Sequence, residues 1–138
     1  GMENAFDGRY ESWAPVRVYL VEDSPMIIER LERMLSTIIG ALSVGHASRA
    51  DEAIDAILAE RPDIVMLDLH LARGNGFDVL RALHEQAPQI AIYVLSNFAT
   101  PPYRQLAQRL GATDFFDKTT EFESVLQAIA ERANRTLN

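Results

Sequence analysis

The chain has 138 residues, 48% hydrophobic and 24% charged, which suits one compact domain with its own core and excludes a disordered or low-complexity chain. It has no cysteine, so disulfides, thiolate metal sites and cysteine nucleophiles are excluded and packing must supply the stability, as suits a reducing compartment. A net charge of −7 offers no basic face to nucleic acid, and no apolar run approaches the roughly 20 residues that span a bilayer.

The opening GMENAFDGRYESW lacks the basic and apolar parts of a signal peptide, so a cytoplasmic protein is expected. Gly1 ahead of Met2 reads as an expression remnant. Residues 1–14 show no periodicity and are expected to be a mobile extension to a domain over 15–138.

Val16 to Val21 is a β-branched, apolar run interrupted only by Arg17, between Pro15 and the polar turn Glu22-Asp23-Ser24, and it reads as a buried strand. Ser24 can cap a helix whose first residue is Pro25. Ile27, Ile28, Leu31, Leu35 and Ile38 then recur at helical spacing toward Gly40. Leu42 to Ala47 is a second strand; Ser48 and Asp51 open a helix carrying Ala53, Ile54, Ile57 and Leu58, closed by Pro62.

A third strand, Ile64 to Leu67, leads into a loop from His70 to Gly76 and a helix bearing Phe77, Val79, Leu80 and Leu83, ended by Pro88. Ile90 to Leu95 is a fourth strand, and Thr100-Pro101 starts a helix running toward Gly111. Asp114-Phe115-Phe116 is a short fifth strand, and Thr120 with Glu123 caps a last helix carrying Val125, Leu126 and Ile129. Strict alternation with predominantly apolar strands predicts an α/β fold: a doubly wound, five-stranded parallel sheet with helices on both faces.

Ligands of such folds sit beyond the carboxyl ends of the strands. The residues just past those ends are Glu22 and Asp23 after the first strand, Asp68 after the third, Ser96 after the fourth and Lys118 after the fifth. Three converging carboxylates repel one another, and a hard divalent cation such as Mg²⁺ relieves that repulsion. An ammonium and a hydroxyl opposite the metal suit the equatorial oxygens of a phosphoryl group, with a carboxylate as nucleophile. Taken singly, each residue has a plainer reading: Glu22 and Asp23 as acidic turn residues before a helix, Lys118 as a surface lysine, Ser96 as a turn former. Their common placement favours the chemical reading.

The segments VYLVEDSP, VMLDLHLARGNGFDVL, VLSN and FFDKTTEF resemble the successive signatures of response-regulator receiver domains, from about Val16 onward. The resemblance implies a flavodoxin-like receiver fold and a single-domain response regulator of a two-component phosphorelay. In that reading Asp68 is the phosphoacceptor, and Mg²⁺ is held by Glu22, Asp23, Asp68 and the backbone carbonyl of His70. Ser96 and Lys118 bind phosphoryl oxygens, Ser96 and Phe115 form the switch, and Gly76 is the glycine after the acceptor loop. It further implies a histidine kinase or histidine phosphotransfer protein as donor. The downstream partner is a protein contacted through the face of the fourth helix, fifth strand and fifth helix, with homodimerisation left open and no membrane or nucleic acid involved. The protein is then a phosphoacceptor that catalyses its own phosphotransfer and dephosphorylation, not an enzyme acting on other substrates.

Two positions depart from the family pattern. Leu71-Ala72 stand where many receivers have Met-Pro, and Thr119 replaces the proline that usually follows the lysine, which leaves the shape of the last loop open. The main alternative is a receiver-fold adaptor working without phosphorylation. A dehalogenase-type hydrolase would need a second aspartate where His70 stands, and Glu22-Asp23 would repel the phosphate of a flavodoxin-like cofactor. His46, His70 and His84 lie in separate elements without ligand spacing, and their side chains are assigned no chemistry.

Overall fold

The computed structural model describes residues 14–137. The expected mobile extension over 1–14 lies outside them except for its last residue. The elements are β1 (Val16–Val21), α1 (Pro25–Leu35), β2 (Ala41–Ala47), α2 (Ala50–Glu60), β3 (Ile64–Leu67), α3 (Gly76–Gln86), β4 (Ala91–Ser96), α4 (Pro101–Arg109), β5 (Asp114–Asp117) and α5 (Phe122–Leu137). One parallel sheet has the order β2-β1-β3-β4-β5, as a doubly wound fold requires. Strand order reverses between β1 and β3, so the crevice for ligands opens at their carboxyl ends.

Strand side chains alternate between two faces, and each face has its own core. Val18 and Leu20 of β1, Ile64 and Met66 of β3 and Phe116 of β5 pack beneath α1 and α5 with Leu31, Leu35, Val125 and Ile129. Tyr19, Val21, Val65, Leu67, Val94 and Phe115 face the other way, against α2, α3 and α4, meeting Ile57, Leu80, Leu83 and Ala107. Each fully buried large side chain contributes about 1.5–3 kcal/mol on leaving water. No helix among the described residues is long and apolar enough to cross a membrane.

Three helix boundaries differ from the sequence reading. The first helix stops at Leu35, short of Gly40, because the Ser36 and Thr37 hydroxyls donate to the carbonyls of Arg33 and Met34 and end the ladder. Ser48 does not cap α2. That position falls to Arg49, which makes no side-chain cap, and the Ala50 amide donates instead to the Arg73 carbonyl at 3.0 Å. At α5, Thr120 and Glu123 form no capping box. The Asp117 carboxylate accepts from the amides of Thr119 and Thr120, and the helix begins at Phe122.

The departure at Ala72 has a structural consequence. Its N–H, which a proline would lack, donates to the Ser48 carbonyl at 3.2 Å and helps tie the loop after β3 to the start of α2. That loop returns to α3 through Gly76, where a Cβ would lie 2.4 Å from the Asp68 carbonyl oxygen and 2.6 Å from Leu69 Cα. Both are backbone atoms that cannot rotate away. Gly76→Ala is therefore expected to cost about 2–3 kcal/mol of stability by overpacking, read as a lower urea midpoint at unchanged m-value; an unchanged midpoint would show that the loop yields freely.

Candidate functional site

Hydrogen bonds that continue the sheet just past its strands fix the backbone of the site. The amides of Glu22, Asp68 and Lys118 donate to the carbonyls of Ala47, Val21 and Ser96 at 3.0, 2.9 and 2.8 Å. Each side chain therefore leaves a pinned backbone at the strand ends.

Glu22, Asp68 and Ser96 are the buried polar or charged residues among those described, at 3%, 7% and 0% exposure. Polar groups are expensive to bury, so this restriction singles out the strand ends as the place where the fold accepts the cost. The Lys118 ammonium offsets it by donating to Glu22 Oε1 at 2.7 Å and to Asp68 Oδ2 at 3.2 Å. The second oxygen of each carboxylate is also held, Glu22 Oε2 by the Ser24 amide at 3.0 Å and Asp68 Oδ1 by the His70 amide at 3.1 Å. Ser24 caps α1 in addition, its hydroxyl accepting from the Ile27 amide.

Burial pushes the Glu22 carboxyl above the usual carboxylate range, and the hydrogen bonds from Lys118 and Ser24 only partly oppose this. Burial acts against the charge of Lys118 too, but the hydrogen bond to Glu22 and the charge of Asp68 prevail and hold its ammonium above the ordinary lysine value. The lysine is thus a retained cation between two carboxylates.

Glu22, Asp23 and Asp68 each offer a carboxylate oxygen, all within 4.8 Å of one another. This all-oxygen set with one exposed member, Asp23, suits a hard cation that keeps some of its water, and Mg²⁺ fits those donors. The three carboxylates and Lys118 line a cavity of about 480 Å³, walled on its outer side by His70, Asn97 and Phe98. His70 and Phe98 stack with centroids 4.0 Å apart.

Glu22, Asp23, Asp68, His70 and Lys118 thus come together. Ser96 does not line the cavity: it is fully buried, and its hydroxyl accepts from the Phe98 amide at 3.0 Å. Phe115 is buried in the core beneath α4. Thr119, in place of the proline, leaves the lysine loop ordered through the hydrogen bond its amide donates to the Asp117 carboxylate and a 3.4 Å contact from its hydroxyl to Asn97. Asn97 and Phe98 were not singled out in the sequence, although their position directly after Ser96 placed them at the same edge.

The family model described as "Response regulator receiver domain" matches residues 18–130. The chain is 33% identical over 122 residues to the response regulator MprA of Mycolicibacterium vanbaalenii, covering 88% of this chain and 52% of the relative. It therefore spans about half the length of that curated relative. Among solved structures, the receiver domain of the putative response regulator NarL from Mycobacterium tuberculosis superposes with a TM-score of 0.79 at 26% identity, over 88% of this chain and 98% of that one. The BeF3-activated N-terminal receiver domain of Klebsiella pneumoniae RstA gives 0.75 at 27% identity, over 85% and 97%.

Replacing Lys118 by Met leaves Glu22 and Asp68 buried without their cation. The expected cost is about 3 kcal/mol near neutral pH. A group whose pKa is raised on folding favours the fold at low pH and loses that contribution as pH rises. The Lys118→Met deficit should therefore narrow on acidification, as a proton on Glu22 replaces the missing charge. Urea unfolding at several pH values checks this; a deficit independent of pH would contradict it.

Proposed function

The chain belongs to the response-regulator receiver family, and on that premise we propose that it takes a phosphoryl group from a histidine kinase or histidine phosphotransfer protein onto Asp68. The observation that carries this reading is the Lys118 ammonium set between the buried carboxylates of Glu22 and Asp68, in an open cavity at the point where strand order reverses.

Glu22, Asp23, Asp68 and the His70 carbonyl would hold Mg²⁺, which when bound supplies positive charge opposite a transferring phosphoryl group. Asp68 is the nucleophile: a carboxylate oxygen forms an O–P bond as the N–P bond of the phosphohistidine breaks, and the imidazole leaves with the electron pair. Lys118 is already directed at the Asp68 carboxylate and can turn to a phosphoryl oxygen without leaving the cavity. The Ser96 hydroxyl would join it after releasing the Phe98 amide. Attack of water on phosphorus breaks the new O–P bond, returns the carboxylate and releases inorganic phosphate. The chain then acts on itself, and the signal passes to a downstream protein through the face formed by α4, β5 and α5.

Incubation with Mg²⁺ and a small acyl-phosphate donor tests this by intact mass. One added phosphoryl group is expected for the wild type, and none for Asp68→Asn or after chelation of the metal. No gain by wild-type protein would favour a receiver-shaped adaptor that recognises its partner without phosphorylation.

A further inference from the structure

Ser96 has its hydroxyl committed to the β4–α4 loop and does not line the cavity, and one side chain of α4 ties that loop to the segments around β5. Arg104 of α4 donates from Nε to the Ala99 carbonyl at 3.0 Å, from Nη1 to the Phe115 carbonyl at 3.2 Å and from Nη2 to Glu121 Oε1 at 3.0 Å. Its guanidinium carbon also lies 5.0 Å from the centroid of the Phe115 ring. Glu121 Oε1 in turn accepts from the Asp117 amide at 2.9 Å, next to Lys118. One partly buried guanidinium thus joins the loop after Ser96, the strand carrying Phe115 and the loop after Lys118.

We propose that Arg104, locked by Glu121, is a positioning residue that holds the loop after Ser96 in the resting arrangement, with the Ser96 hydroxyl on the Phe98 amide, and so sets how readily the Asp68 site accepts a phosphoryl group. The inference rests on the phosphoacceptor reading and deepens it. For the Ser96 hydroxyl to reach a phosphoryl oxygen it must release the Phe98 amide, and the backbone between Asn97 and Ala99 must shift. Arg104 resists that shift through Ala99 and resists movement of Phe115 from above the ring. A contact made only in the resting arrangement favours it over the loaded one, and removing that contact moves the balance the other way.

Other charged groups at the same edge do not substitute for it. Lys118 is taken by Glu22 and Asp68, and Arg30 lies over the Phe122 ring on the other side of the sheet. The planar fork of arginine is also what allows three acceptors on separate segments to be bound at once, which a lysine could not reproduce.

The test is equilibrium binding of beryllofluoride, a phosphoryl mimic, at saturating Mg²⁺ to wild type, Arg104→Met, Glu121→Gln and the exposed control Gln105→Ala. Hydrogen exchange at the Phe98 amide is followed in parallel. Arg104→Met should bind about fivefold more tightly, at the low end of ordinary coupling factors, and exchange faster at Phe98. Glu121→Gln should move both in the same direction by less, and Gln105→Ala should move neither. Because the two clamp variants change the local charge in opposite senses, a shared direction excludes a simple field effect. Unchanged or weaker binding in Arg104→Met and Glu121→Gln, even with lower thermal stability, would reduce the clamp to a structural contact and overturn the inference. If the wild type itself failed to bind beryllofluoride, the phosphoacceptor reading would fall and the inference with it.

Discussion

The contact on which the rest depends is the ammonium of Lys118 between the carboxylates of Glu22 and Asp68. Two carboxylates that are almost fully buried cannot sit side by side in a folded chain without a compensating charge. The cation comes from the far end of the sheet. β5 is separated from β1 by β3 and β4, and the parallel order brings all their carboxyl ends to one edge. The apolar strands thus do two things: they bury the core on both faces, and they deliver one positive and three negative groups to a single crevice.

The same contact explains how a stable fold can hold a reactive site. Lys118 neutralises part of the acidic pocket and holds the Glu22 and Asp68 carboxylates in place. Their remaining oxygens accept from backbone amides of the adjoining turns, which fixes the orientation of both carboxylates. Ser96 and Phe115, the switch pair of the proposed reading, are placed differently. They are buried and away from the cavity, so a signal passing through them requires the loop beyond β4 to move. Arg104 is placed to control that movement, because its bonds span the segments that would shift.

Much of this was legible in the sequence. The largely apolar runs Val16 to Val21, broken only by the half-buried Arg17, and Ile64 to Leu67 marked the strands to within a residue, because a strand covered on both faces has little room for polar side chains. Glu22 and Asp68 were legible because a charged residue directly after such a run has little reason to be there without a partner, and Lys118 because it follows the short fifth strand at the same edge. Helix ends were less so: Ser36 and Thr37 stop α1 by bonding carbonyls behind them, and the N-terminal amide of α2 is satisfied by Arg73, remote in sequence. The His70–Phe98 stack and the Arg104–Glu121 pair depend on how segments remote in sequence meet, which spacing along one chain does not encode. The missing proline at Thr119 was readable, but the Asp117 turn that orders the loop in its place was not.

The most direct test of the central claim is a Mg²⁺ titration of isotope-labelled protein, following the backbone amides of Ser24, Asp68, His70 and Lys118 beside an Asp23→Asn variant. The expected result is saturable shifts concentrated on those amides in the wild type, with binding much weaker in Asp23→Asn, where one ligand has lost its charge. Shifts that never saturate, or that are equal in the two proteins, would contradict a metal centre built from Glu22, Asp23 and Asp68.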